Sequence, residues 1–289
     1  MRWLLLITAL LASPALAAEW TVEPRAGAIA ETLARAADGD TLLLRPGTYL
    51  ERIVLDRPVT LDGGGAAVID GGGNGTVVTV TGDDVTVKGL TVIGSGSDHE
   101  EIDSGIKMTK TARAPQVLDN RVLGNLYGID IHGARDALVA GNTVEGRQDR
   151  HMNARGNGIY LWNAPGAVVE GNDVRWGRDG IFVNSSKKNI FRNNTFRDLR
   201  FAVHYMYADD SEVSGNVSIG NHLGYAVMFS TRVKVTDNVS LNDRDHGVML
   251  NYANKSTITG NVIKNTKGKC TFTQLHQENV WRFNMEKPM

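Results

Sequence analysis

The 289-residue chain has a single cysteine, Cys270, only seven prolines and almost no net charge. A lone cysteine excludes an internal disulfide framework. So few prolines argue against Pro-rich linkers. With 31 Lys and Arg against 32 Asp and Glu the net charge is −1, so the chain lacks the cationic surplus that non-specific nucleic-acid binding requires. The only long apolar run lies between Trp3 and Leu11, too short for a membrane span. Arg2 precedes it and Ala15-Leu16-Ala17 follows, the pattern of a secretory signal peptide occupying residues 1–17. The expected mature chain starts near Ala18, has no membrane span and works in a bacterial periplasm or outside the cell. What is abundant is 32 glycines and 22 asparagines beside a 42% hydrophobic fraction, the composition of an ordered chain with many tight turns.

The asparagines are periodic. They recur at Asn120, Asn142, Asn172, Asn194, Asn216, Asn238 and Asn261, at spacings of 22, 30, 22, 22, 22 and 23. An apolar residue stands three positions before each: Val117, Val139, Val169, Phe191, Val213, Val235 and Ile258. About eight residues after them come alternating segments such as Gly158-Ile159-Tyr160-Leu161 and Gly180-Ile181-Phe182-Val183. Two-residue alternation within a repeat near 22 predicts short strands in a solenoid rather than helical repeats. The expected fold is all-β, a right-handed parallel β-helix of roughly nine coils. The Asn series is read as an internal ladder. Val87, Leu90 and Val92 extend the register upstream, Tyr49 to Gly75 form less regular opening coils, and Ala28 to Ala37 form a short helix capping the first coil. Residues 18–269 make one elongated domain. Residues 270–289 are expected to be an atypical tail without a ladder partner, as from a truncated or frameshifted reading frame.

Both enlargements of the repeat fall in the same turn, as the loops Gly94–Ser104 and Glu145–Asn157, the second carrying His151 and Met152. Loops inserted on one edge of a solenoid commonly build its binding face. The alternation sends Ile129, Ile159, Ile181, Val203, Val227 and Val248 inward. Asp130, Tyr160, Phe182, His204, Met228 and Met249 then form one outward row, and His132, Trp162, Asn184, Met206, Ser230 and Asn251 the next. Three consecutive coils thus offer His204 with Met206, His222 with Met228, and His246 with Met249. An apolar, sulfur-bearing strip on a solvent face needs a reason. Thioether and imidazole together suit a soft ion such as Cu(I), which makes His204, Met206, Met228, His246 and Met249 the candidate metal ligands. His222, His132, Tyr160, Trp162, Phe182, His151 and Met152 complete a candidate binding face. The alternative for the strip is a greasy patch covered by a partner. Asp130, Asp179, Asp209 and Asp210 read as turn formers.

The rival reading is a carbohydrate-active or carbohydrate-binding β-helix of the polysaccharide lyase or epimerase kind. It would draw on Asp98-His99-Glu100-Glu101 or on Asp243, Asp245 and His246. Three acids on one loop would repel a uronate, and neither a zinc-protease motif nor a nucleophile elbow is present. No catalytic residue is assigned, and the expectation is a non-enzyme.

Three strings are more specific than the pattern: His204-Tyr205-Met206-Tyr207-Ala208-Asp209-Asp210-Ser211, Gly224-Tyr225-Ala226-Val227-Met228-Phe229-Ser230, and Arg244-Asp245-His246-Gly247 continuing to Asn254. With Asp70-Gly71-Gly72 and Gly156 to Asn163, they resemble the NosD family, periplasmic copper-binding maturation proteins of nitrous oxide reductase. The resemblance covers about residues 20–269 and implies a non-enzymatic accessory role. It implies copper as cofactor, and as partners the ATPase and membrane subunits of an ABC transporter together with the reductase or a copper chaperone. Family members continue for several more coils.

Overall fold

The computed structural model describes the backbone of residues 17–273 and 280–283 and the side chains of residues 17–267; residues 1–16 of the expected signal peptide lie outside it. The chain winds into a parallel β-solenoid of about 11 turns, two more than expected. The added turns come from both ends. Glu19–Val22 already pairs in parallel with Thr41–Leu44, while Gly268–Thr273 pairs with His246–Asn251 and Val280–Phe283 with Thr257–Lys264. Strand pairing therefore continues past Lys269 in those segments, where no continuing strand was expected. The sequence does mark this register, since Asn284 stands 23 residues after Asn261 with apolar Trp281 three positions before it, a spacing the expectation overlooked. The strands form two parallel sheets, one of 19 and one of 10, and a regular coil contributes two short strands to the first and one to the second.

Each coil closes because its inward side chains have only their counterparts on neighbouring coils to pack against. Val139, Val169, Phe191, Val213, Val235 and Ile258 form one inward column and Val144, Val174 and Phe196 another, all buried. Burying such a side chain contributes about 1.5–3 kcal/mol each. At the corner between those columns the chain must turn through the left-handed region. That place is filled by Asp119, Gly141, Gly171, Asn193, Gly215, Asp237 and Gly260, all with φ between 53 and 69°, the residue types that tolerate it.

The asparagine after each corner faces inward and satisfies what the turn leaves open. Asn194 donates from Nδ2 to the Val169 carbonyl at 2.9 Å and to Asn216 Oδ1 at 2.9 Å. Its own Oδ1 accepts from the Asn172 backbone N–H and side-chain amide at 3.0 and 2.9 Å. The same set repeats from Asn120 to Asn261. Shorter buried polar sets serve the other two corners, Asn189 with Ser186 at one and Asn221 and Asp243 with Ser218 and Ser240 at the other.

The helix is shorter than expected, Ala28–Leu33. It buries Ala28, Ile29 and Leu33 against Glu19–Val22, Thr41–Leu44 and Ile53–Leu55. The Glu51 carboxylate accepts its first free N–H groups, from Ile29 and Ala30, at 3.1 and 3.2 Å, which is compatible with the helix dipole. No helix among the described residues is long and apolar enough to cross a membrane.

Replacing Asn194 by Ala leaves the buried Asn172 N–H without its acceptor and takes one partner each from Asn172 Nδ2, the Val169 carbonyl and Asn216 Oδ1. At roughly 1–3 kcal/mol per orphaned group, it should destabilise the fold by about 3 kcal/mol or more in denaturant unfolding. Asn153→Ala, at an exposed turn, should stay within about 0.5 kcal/mol.

Candidate functional site

The outer face of the ten-stranded sheet carries the strip. Its register pairs Ile129, Ile159, Ile181, Val203, Tyr225 and Val248 as one inward column, which corrects the sequence alignment of one strand. In Leu223–Met228 the inward place belongs to Tyr225, not Val227. Its ring is fully buried and its hydroxyl donates toward the Asn216 and Val239 carbonyls at 2.9 and 3.0 Å. The strand therefore shifts by two residues relative to the expectation, because Ala226-Val227-Met228 imitates the repeat while Gly224 holds the true glycine position. The observed outward row is Asp130, Tyr160, Phe182, His204, Ala226 and Met249, and the next is His132, Trp162, Asn184, Met206, Met228 and Asn251. Met228 thus stands beside Met206 and not in the His204 row, and Ser230 leaves the strip.

The two inserted loops roof the first half of this face. Arg147 donates to Ser97 Oγ at 2.6 Å and to the Ser95 and Gly96 carbonyls at 2.8 and 2.7 Å, tying the loops together. His99 bridges the Ala154 carbonyl at 3.1 Å and the Tyr127 hydroxyl at 3.4 Å. Asp98 is a turn former, since its Oδ1 accepts the N–H groups of Glu100 and Glu101 at 2.8 and 3.3 Å. Under this roof Asp130 is fully buried and neither carboxyl oxygen has a hydrogen-bond partner. Lys107 and His132 approach only to 3.5 and 3.6 Å. Burial therefore pushes the Asp130 carboxyl above its usual range, and those two neighbours offset only part of the rise. Asp130 is not the exposed turn former it resembled in sequence. Tyr160 beside it is pushed up to about 12, first by burial and then by Asp130. His151 is exposed and Met152 opens the short 3-10 turn Met152–Ala154. His132 stacks on the partly exposed Trp162 at 4.6 Å between centroids.

Beyond the roof the row changes chemistry. Tyr160 stacks on Phe182 at 5.5 Å, and Phe182 on the His204 imidazole at 4.8 Å, while Phe201 meets the same imidazole edge-on at 4.8 Å. His204 Nδ1 lies 3.1 Å from Asp179 Oδ2. Arg200 grips both oxygens of that carboxylate, Nε to Oδ1 at 2.7 Å and Nη2 to Oδ2 at 2.6 Å. Burial pushes Asp179 upward, but the hydrogen bonds from His204 and Arg200 outweigh it and hold the carboxyl below its ordinary range. His204 is itself buried, and its Nε2 has no hydrogen-bond partner. On the far side of His204 the row continues with Ala226, its smallest side chain, and then half-buried Met249. Met206 and Met228, also half-buried, are paired on adjacent strands one row over. His246 begins its strand, in a column with Leu223, Phe201 and Asp179. His222 lies apart, its Nε2 3.1 Å from Arg244 Nη1.

Among the described residues, no three His, Cys, Asp or Glu side chains gather around a point. The register places His204 in a row with Met249 and next to the row of Met206 and Met228. Asp179 was read only as a turn former, and Arg200 and Ala226 were not given a role, because Asp179-Gly180 reads as a turn until the columns are aligned. Also missed was an exposed stack just past the methionines, Tyr207 on Phe229 at 5.2 Å and Phe229 on Tyr252 at 5.0 Å. All three occupy the left-handed region at 49–52°, where the earlier coils place Gly133, Asn163 and Ser185. Of the acids of the rival reading, Asp98 holds its own turn and Asp243 is buried among Ser218 Oγ, Ser240 Oγ and the Asn221 N–H.

Residues 140–285 match the family model described as periplasmic copper-binding protein (NosD). The chain belongs to the NosD family. Two curated relatives, each named "Probable ABC transporter binding protein NosD", come from Stutzerimonas stutzeri and Pseudomonas aeruginosa. They are 35% and 34% identical over 82% and 81% of this chain. The chain spans about half the length of those relatives, 54% and 55%. Asp179, Arg200, His204, Met206, Met228 and Met249 all fall inside the NosD-matched stretch, and Asp130 and His132 outside it. Among solved structures, an alginate lyase from Paenibacillus sp. has a TM-score of 0.73 at 17% identity, covering 89% of this chain and 99% of that one. A pectate lyase, Pel9A, has 0.59 at 16%, covering 92% and 78%. At these identities the likeness is one of fold.

The raised carboxyl of Asp130 has a pH signature. It binds a proton in the folded state at pH values where the unfolded chain has released it, so its contribution to stability falls as pH rises from the ordinary aspartate range through the folded pKa. Asp130→Asn removes that slope. Urea unfolding across pH should show wild-type stability declining relative to the variant as pH increases, with the two closest at acid pH.

Proposed function

We propose that this chain is a periplasmic accessory protein that carries copper for assembly of the copper centre of nitrous oxide reductase, working with the ATPase and membrane subunits of an ABC transporter. Copper is the cargo. Support comes from the NosD family model, described as copper-binding, and from relatives named for an ABC transporter. The observation that carries the reading is the buried, unpartnered Nε2 of His204, in a row that continues with the small, buried Ala226 and then Met249, beside the Met206–Met228 pair.

The donors fit a soft monovalent ion. A neutral imidazole and thioethers bring no charge, so they do not offset the dehydration of a hard divalent cation, and thioether sulfur selects Cu(I). The Phe182 and Phe201 rings exclude water from one side of the imidazole. His204 would be the anchor, Met206, Met228 and Met249 the thioether donors, and His246 a further donor at the start of its strand. His222, His132, Tyr160, Trp162, Phe182, His151 and Met152 would shape the surface that meets the reductase or a copper chaperone.

Anaerobic Cu(I) titration against a competing chelator tests the assignment. Wild-type protein should bind one Cu(I). His204→Ala should weaken it by more than about 100-fold, beyond the ~10–100-fold typical of losing an outer-shell group, whereas His151→Ala should leave it unchanged. Equal affinity in wild type and His204→Ala would remove the site.

A further inference from the structure

Resting on the copper reading, we infer that Asp179 and Arg200 are positioning residues that hold His204 as its Nδ1–H tautomer, with the Nε2 lone pair bare and directed at the cargo. The argument is one of hydrogen-bond capacity. An ionised carboxylate only accepts, and a guanidinium only donates. Arg200 occupies both Asp179 oxygens through a bidentate grip at 2.7 and 2.6 Å. That fixes the plane of the carboxylate, and Oδ2 still has a lone pair for the imidazole 3.1 Å away. The proton between the two groups therefore belongs to Nδ1.

The other nitrogen follows from burial. Nε2 has no hydrogen-bond partner and the residue is buried, so an N–H there would be an orphaned donor, costing about 1–3 kcal/mol. A bare lone pair in that place is the form a soft ion can use. Arg200 is in turn braced by its cation–π contact with Phe201, 4.5 Å from the ring centroid, and Phe201 packs edge-on against the imidazole. Arg200 and His204, with Phe201 packed against both, thus close on a single carboxylate from the preceding coil. The carboxylate–histidine pairing that orients a metal ligand is assembled before any ion arrives.

Long-range 15N–1H NMR of the copper-free protein tests this directly, with the His204 signals assigned by their loss in His204→Gln. The expected result is a single Nδ1-protonated neutral tautomer. An Nε2-protonated form, or a mixture of the two, overturns the inference whatever any variant does. Asp179→Asn, which preserves shape and can present an amide N–H to the ring, should mix the tautomers and weaken Cu(I) by about 10–100-fold. Wild-type affinity with an unmixed tautomer in folded Asp179→Asn also overturns it. The copper reading fails separately, through unchanged Cu(I) affinity in His204→Ala, and the tautomer of the copper-free protein is decided in either case.

Discussion

The parallel register between neighbouring coils is the constraint on which the rest of the molecule depends. Adjacent strands lie about 4.8 Å apart, so each residue meets its counterpart one repeat away and any property held at one position becomes a column. Inward columns of Val, Ile and Phe make the core. The corner column of asparagines makes the ladder, in which each amide spans two coils and leaves little freedom for the register to slip. Outward columns are free to vary, and chemistry that no single coil could hold is written there. His204 takes its surroundings from the neighbouring coils: Asp179 and Phe182 behind it, Ala226 and Met249 ahead.

The same face is divided in two by its loops. In the first half, Arg147 and His99 fasten a roof over Asp130 and Tyr160, and burial leaves a carboxyl without partners. In the second half, where the repeat is unbroken, the face stays open and the columns become sulfur-bearing and aromatic. Two buried aspartates on one sheet thus have opposite fates. Asp179 receives a guanidinium and an imidazole and is held below the usual range, whereas Asp130 receives neither at bonding distance and is pushed above it. The difference lies in their partners rather than in depth.

Much of this was legible in the chain. The 22-residue spacing from Asn172 to Asn238 announces the solenoid and the ladder, and the enlarged repeats locate the loops. The methionine-bearing rows were legible because Met206, Met228 and Met249 stand where polar residues are expected. Their exact neighbours were not, because Tyr225 fills an inward position that the coils from Ile53 to Val248 otherwise give to Val or Ile, and the imitation of the motif by Ala226-Val227-Met228 misplaced Met228. Asp179 was hidden for a different reason. An aspartate before glycine is an ordinary turn signature, and only its burial against Arg200 and His204, 21 and 25 residues away, reveals another role. The strands beyond Lys269 escaped notice although Asn284 keeps the 23-residue spacing from Asn261, with Trp281 three positions before it, because the chain between them lacks the glycine-led alternation of the earlier coils.

The central claim is that this register turns one imidazole and the methionine columns into a single soft site. X-ray absorption of the Cu(I)-loaded protein tests it most directly, using a Cys270→Ser background so that any sulfur seen is thioether. The account predicts a copper shell of one imidazole nitrogen with sulfur, the sulfur lost when Met206, Met228 and Met249 are replaced together. A shell of nitrogen and oxygen alone, or a sulfur shell indifferent to those three methionines, would contradict it.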